Sequence, residues 1–65
     1  MNIQLNGKPH STMADTLALL LDEAGYGGAA VATAVNGSFI PLTQRTYQAL
    51  RDGDQIEVLA PMQGG

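Results

Sequence analysis

Three Asn-Gly or Asp-Gly pairs punctuate a chain of 65 residues: Asn6-Gly7, Asn36-Gly37 and Asp52-Gly53. Such pairs accept positive φ at both central positions, the backbone that a tight hairpin turn demands. Segments cut this short suit strands of about five or six residues. The first pair follows Met1-Asn2-Ile3-Gln4-Leu5, which alternates apolar and polar residues. That period predicts a half-buried strand with Met1, Ile3 and Leu5 inward. Lys8 to Met13 is expected to return as the second strand. Pro9 cannot donate to a ladder, so this strand belongs at an edge or is irregular there.

A helix is predicted from Asp15 onward. Leu17, Leu20, Leu21 and Ala24 recur at i, i+3, i+4 and i+7, which is one helical face. Leu19 falls off that stripe. Asp15 is the expected N-cap, its carboxylate accepting from the first free amides, and Gly25 suits the left-handed position after the helix. Ala30 to Val35 reads as a strand with few polar interruptions, so both of its faces are expected to be covered, as in a central strand. Ser38-Phe39-Ile40 is a short strand ended by Pro41. A helical turn is expected within Thr43 to Leu50. Gln55 to Ala60 is the last strand, with Ile56 and Val58 on one face and Glu57 and Leu59 on the other. The expected core is Ile3, Leu5, Leu17, Leu20, Leu21, Val31, Val35, Ile40, Leu50, Ile56 and Val58. The order β-β-α-β-β-β makes a small α+β domain with one main helix on one face of the sheet.

Composition removes several classes of function. Cysteine is absent, so neither disulfide nor thiolate chemistry is available. His10 is the only histidine and has no cysteine with which to share a zinc ion, so no metal site is expected. Three Lys and Arg against six Asp and Glu give a net charge of −3; three scattered cations make no basic stripe for nucleic acid. No apolar run nears the roughly 18 residues of a membrane span. No basic start leads into an apolar export segment. The expectation is a soluble, cytoplasmic, mildly acidic module. Ligand clefts take roughly 300 Å³ or more, and so short a chain leaves little volume for a deep one. A self-contained enzyme is therefore not expected, and no residue is assigned a catalytic role.

Gly64-Gly65 stands apart from the rest. One reading is a plain flexible terminus. The other is chemical. Glycine has no Cβ, so its backbone can thread a narrow channel and approach a reactive centre. Its α-carboxylate is unhindered and can attack an activated phosphate.

Several stretches together carry a resemblance. They are Ile3-Gln4-Leu5-Asn6-Gly7, then Thr16-Leu17 with Leu20-Leu21, then Val35-Asn36-Gly37 with Ile40-Pro41. Leu50-Arg51-Asp52-Gly53-Asp54-Gln55-Ile56-Glu57-Val58 and the final Gly64-Gly65 complete the set. They span nearly the whole chain in a fixed order. The sequence resembles the ubiquitin-like β-grasp sulfur carriers, most closely those of the thiamine pathway (ThiS type). Members often carry Arg directly after the Ile/Val-Pro pair; here Leu42 stands there and Arg45 comes later.

The resemblance implies a β-grasp domain over residues 1–61, built as a mixed sheet of four or five strands with the first and last strands parallel at its centre. It implies a flexible tail over 62–65. Gly65 would be adenylated by a ThiF-type enzyme using ATP and Mg²⁺ and converted to a thiocarboxylate. A cysteine desulfurase or similar donor would supply the sulfur, and thiazole synthase would accept it. The chain itself would bind no cofactor. Met62, Gln63 and Gly64 would be read by the partners, with Leu59 and Phe39 as a docking patch. The same pattern also fits the small subunit of molybdopterin synthase, or a β-grasp interaction module or protein modifier. The remaining polar residues have plainer readings. His10 reads as a solvated residue on an edge strand, and Asp52 and Asp54 as turn chemistry around Gly53. Asp22-Glu23 reads as a solvated helix face, and Lys8 has no phosphate-loop context.

Overall fold

The structure, a computed structural model, describes residues 1–60. The expected tail and the boundary at residue 61 lie outside the described residues. In chain order the elements are β1 (Asn2–Leu5), β2 (Lys8–Ser11), α1 (Leu17–Glu23), β3 (Ala32–Val35), β4 (Ser38–Ile40), a 3-10 helix (Leu42–Tyr47) and β5 (Gln55–Leu59). The sheet order is β2-β1-β5-β3-β4. β5 runs parallel to β1, with Gln4 opposite Gln55 and Leu5 opposite Ile56. It runs antiparallel to β3, with Ala32 opposite Leu59 and Val35 opposite Ile56. This is the mixed five-stranded α+β sheet of the β-grasp layout, and Pro9 lies on the edge strand β2, opposite Gln4.

Two of the three turns take the expected form. Asn6 and Gly7 have φ of 52° and 80°, and Asn36 and Gly37 have 50° and 84°, so both central residues are left-handed, as a type I′ hairpin requires. Asp52-Gly53 departs from this, because only Gly53 is left-handed, at 87°. This turn leads into β5 and joins no hairpin. The Asp54 amide donates to the Arg51 carbonyl at 3.0 Å, and the Asp54 carboxylate accepts from the Arg51 amide at 2.8 Å.

The helix buries Leu17, Leu20 and Leu21 against Ile3, Val35, Leu50, Ile56 and Val58. Leu19 is exposed, and Gly25 is left-handed. The N-cap is Thr16 and not Asp15. Thr16 has extended backbone, and its hydroxyl accepts from the Leu19 amide at 3.3 Å. Asp15 is drawn away by a long-range contact, its carbonyl accepting from the Leu50 amide at 2.9 Å. Met1 does not point inward; it is 41% exposed, its ammonium group donating to the Thr12 carbonyl at 2.8 Å. β3 starts at Ala32, and only one of its faces is covered: Thr33 and Val35 are buried, whereas Ala32 is exposed and Ala34 half-buried. Leu5, Val31 and Ile40 pack against the core only half-buried. Ala14 joins the core, and Thr12, Thr33 and Arg45 are buried polar residues that the apolar pattern does not reveal.

Each type I′ asparagine has a second task. The Asn6 side-chain oxygen accepts from the Val58 amide at 2.8 Å. That of Asn36 accepts from the Gln55 amide at 2.9 Å, while its NH₂ donates to Asp54 at 2.9 Å. Each hairpin is thereby fastened to β5.

Candidate functional site

The end of β5 delivers the chain to the glycine-bearing segment. Met62, Gln63, Gly64 and Gly65 lie outside the described residues, so the site visible here is the surface around Leu59. Alternation along β5 places Glu57 and Leu59 opposite the buried Ile56 and Val58. Leu59 is 63% exposed and Phe39 67% exposed. Pairing places Phe39 opposite Ala34, and Ala34 opposite Glu57. The outer face of β4-β3-β5 thus carries two large apolar side chains with the small Ala32 and Ala34 between them. A shallow depression of about 90 Å³ joins Leu59, Phe39 and both alanines. The structure therefore brings Phe39 and Leu59 onto one surface.

Around the end of β5 lies a larger open groove of about 480 Å³, lined by Ala29, Ala30, Leu42, Arg45, Leu59 and Ala60 among others. Leu42 is 72% exposed at its rim. Arg45 is only 8% exposed. Its Nε donates to the Thr33 hydroxyl at 3.1 Å and Nη2 donates to the Val31 carbonyl; the Thr33 hydroxyl donates onward to the Ile40 carbonyl at 2.9 Å. Arg45 thus ties the 3-10 helix to β3. Sequence reasoning misses this residue as part of the surface. The one available signal is its i+3 spacing from Leu42, which stacks the two on one side of a 3-10 helix.

His10, Glu23 and Asp52, read from the sequence as solvated or local turn residues, are tied instead into contacts between distant parts of the chain. His10 Nε2 lies 3.4 Å from Glu23 Oε1, and Glu23 Oε2 accepts from the Met13 amide at 3.2 Å. The Glu23 carboxyl is held below its ordinary range, chiefly by the Thr12 hydroxyl against some desolvation, then by the Met13 amide and His10. Asp52 accepts from the Asn2 amide at 2.7 Å, and Lys8 is exposed on the edge strand. Among the described residues, no group of three His, Cys, Asp or Glu is placed to hold a metal, and no helix is long and apolar enough to cross a membrane.

Comparison with known proteins adds to this geometry. The model of the ThiS family matches residues 3–65. A sulfur carrier protein ThiS of Thermus thermophilus is 38% identical over 63 residues, which is 97% of this chain and 98% of that one. The crystal structure of a thiamine biosynthesis protein (ThiS) from Geobacter metallireducens superposes with a TM-score of 0.85 at 30% identity, covering all of both chains. The solution structure of a thiamine biosynthesis protein from the same organism gives a TM-score of 0.79 at 28% identity, over all of this chain and 88% of the other.

Proposed function

The chain belongs to the ThiS family, and from that premise we propose that it carries sulfur for the thiazole ring of thiamine. In this reading it is a cytoplasmic substrate of partner enzymes and has no catalytic residue of its own. The observation that carries the reading is a family match that runs through Gly64 and Gly65, joined to a domain whose central strand leads toward them. A ThiF-type enzyme, with ATP and Mg²⁺, positions the Gly65 carboxylate so that one oxygen attacks the α-phosphate. Pyrophosphate leaves and an acyl-adenylate remains. The persulfide of a cysteine desulfurase or similar donor attacks the acyl carbon and AMP leaves; a thiol then reduces the resulting acyl disulfide, itself being oxidised to a disulfide, and the chain ends in a thiocarboxylate. Thiazole synthase then takes the sulfur.

Two features support this chemistry. With no cysteine in the chain, sulfur has no side chain to ride on and is carried at the terminal carbonyl. Gly64 and Gly65 carry no Cβ, so a narrow channel can admit them, with Met62, Gln63 and Gly64 read by the partner, while Leu59 and Phe39 offer apolar area for docking. Met62 adds an adaptable side chain for meeting more than one partner. The test is intact mass after incubation with the adenylating enzyme, ATP, Mg²⁺ and a sulfide source. Exchange of one oxygen for sulfur at Gly65 is expected. An unchanged mass under conditions where a known carrier is converted overturns the reading.

A further inference from the structure

We propose that the groove around Arg45 receives an acidic side chain of a protein partner, presented beside an apolar one. Buried cations are ordinarily paired, yet among the described residues no carboxylate lies within salt-bridge distance of Arg45; the close acid-base contact among them is elsewhere, between His10 on β2 and Glu23 on α1. Nε and Nη2 are engaged by neutral oxygens. Nη1 makes no hydrogen bond among the described residues. Arg45 lines both the groove at Leu59 and Ala60 and the adjoining one at Ala18, Tyr26 and Thr46. The acid on the second groove is Asp22, which makes no ion pair with Arg45 among the described residues. The guanidinium is thus a single positive charge in a mostly apolar wall.

Such a wall complements one carboxylate flanked by aliphatic carbon. Charge-assisted hydrogen bonds to guanidinium are the strong ones, and the low-dielectric surroundings strengthen them further. The groove is open and shares Leu59 and Ala32 with the depression that holds Phe39, whose far wall carries Glu57, so the carboxylate is received at Arg45 and the apolar neighbour at Leu59. This shape fits the side chains of a protein surface better than a small molecule, which wants most of its area enclosed. The proposal deepens the docking part of the carrier reading and rests on it for the presence of a partner there.

The test uses the full chain labelled with ¹⁵N and two capped peptides, acetyl-Leu-Glu-Ala-amide and acetyl-Leu-Gln-Ala-amide, whose one difference is the carboxylate. Titration is followed by amide resonances of Ala30, Val31 and Leu59 and by the Arg45 Nε–H. The Glu peptide is expected to bind roughly tenfold more tightly than the Gln peptide, as one charge-assisted hydrogen bond warrants, and to move the Nε–H. Arg45→Gln should erase the difference. Because that change also removes bonds to β3, Leu42→Asp serves as the second variant. Leu42 is exposed, so the fold survives, and its new carboxylate sits one 3-10 turn from Arg45, where it competes. Equal binding of the two peptides to the native chain overturns the proposal. So does a Glu preference that Leu42→Asp leaves intact. So does a preference that appears only after residues 61–65 are removed, which would assign the groove to the chain's own end. None of these results bears on sulfur exchange at Gly65, so the two readings stand or fall separately.

Discussion

Asn36 shows how much one residue of this chain is asked to do. It takes a left-handed backbone at φ 50°, accepts from the Gln55 amide and donates to Asp54. Asn36→Ala places a Cβ-bearing residue without compensation in left-handed space, at about 1–2 kcal/mol, and removes two hydrogen bonds of about 1 kcal/mol each. A loss of roughly 2–4 kcal/mol is expected in urea denaturation, large against the marginal stability of so small a domain. At the other extreme stands Gly65. The core of the described residues is complete by Val58, so deleting Gly65 should leave the denaturation midpoint unchanged. It should, however, abolish ATP–pyrophosphate exchange with the adenylating enzyme. The shortened chain draws its carboxylate back by about 3.3–3.6 Å, and a displacement of about 1 Å can already cost a hundredfold. Undiminished exchange would show that the terminus is not the reacting group. The sequence reading reaches each residue only in part. The Asn-Gly pair announces left-handed backbone, because that is a local preference. The bonds from Asn36 to β5 depend on a strand 19 residues away and have no local signature.

Between elements the same division holds. β1, the face of α1 and β5 are legible because burial imposes period two or period 3.6 on their residues, and β4 because Asn36-Gly37 and Pro41 bound it. Their edges are not. Thr16 and not Asp15 caps the helix because the backbone there is steered by bonds to Gln48, Ala49 and Leu50, residues more than thirty positions along. Arg45 reads as one more polar residue of a surface turn; its burial follows from Thr33 on β3 and from Val31 just before that strand. On the functional side, Leu59 and Phe39 are readable as exposed by alternation, but the alanines between them matter only once β3 lies between their strands. The contact between β2 and the end of α1 carries a pH dependence. The Glu23 carboxyl is held below its ordinary 4.5, so folding favours its ionised form. Its stabilising effect is full above the ordinary value and is lost as pH falls through the lower folded value. Glu23→Gln should therefore lower the urea midpoint slightly at neutral pH, with the difference from the native chain vanishing once the pH lies below the lowered folded value. A difference that persists in acid would mean that packing, not charge, links the two elements.

For the molecule as a whole, β5 holds together two hairpins that share no other strand: β2-β1 lies on one side and β3-β4 on the other. A chain ending at Asp54 keeps both hairpins and the helix yet loses every ladder between the halves. Isolated two-stranded ribbons are marginal in water, so residues 1–54 should show the circular dichroism of an unfolded chain and no cooperative thermal transition. A cooperative transition would mean that α1 alone suffices to join the halves. The pairing of β1 with β5 spans about fifty residues of sequence, so this joint closes late, after the local hairpins, and long-range closure of this kind slows folding. The parallel direction of that pairing has a mechanical side as well. Asn2 begins β1 at one end of the joint, and Leu59 finishes β5 at the other. Tension drawn between the two ends of the domain therefore slides these strands along each other and loads their hydrogen bonds together, whereas an antiparallel hairpin pulled from its open end unzips one bond at a time. An enzyme that grips the segment beyond Leu59 and tugs therefore loads the parallel joint in shear.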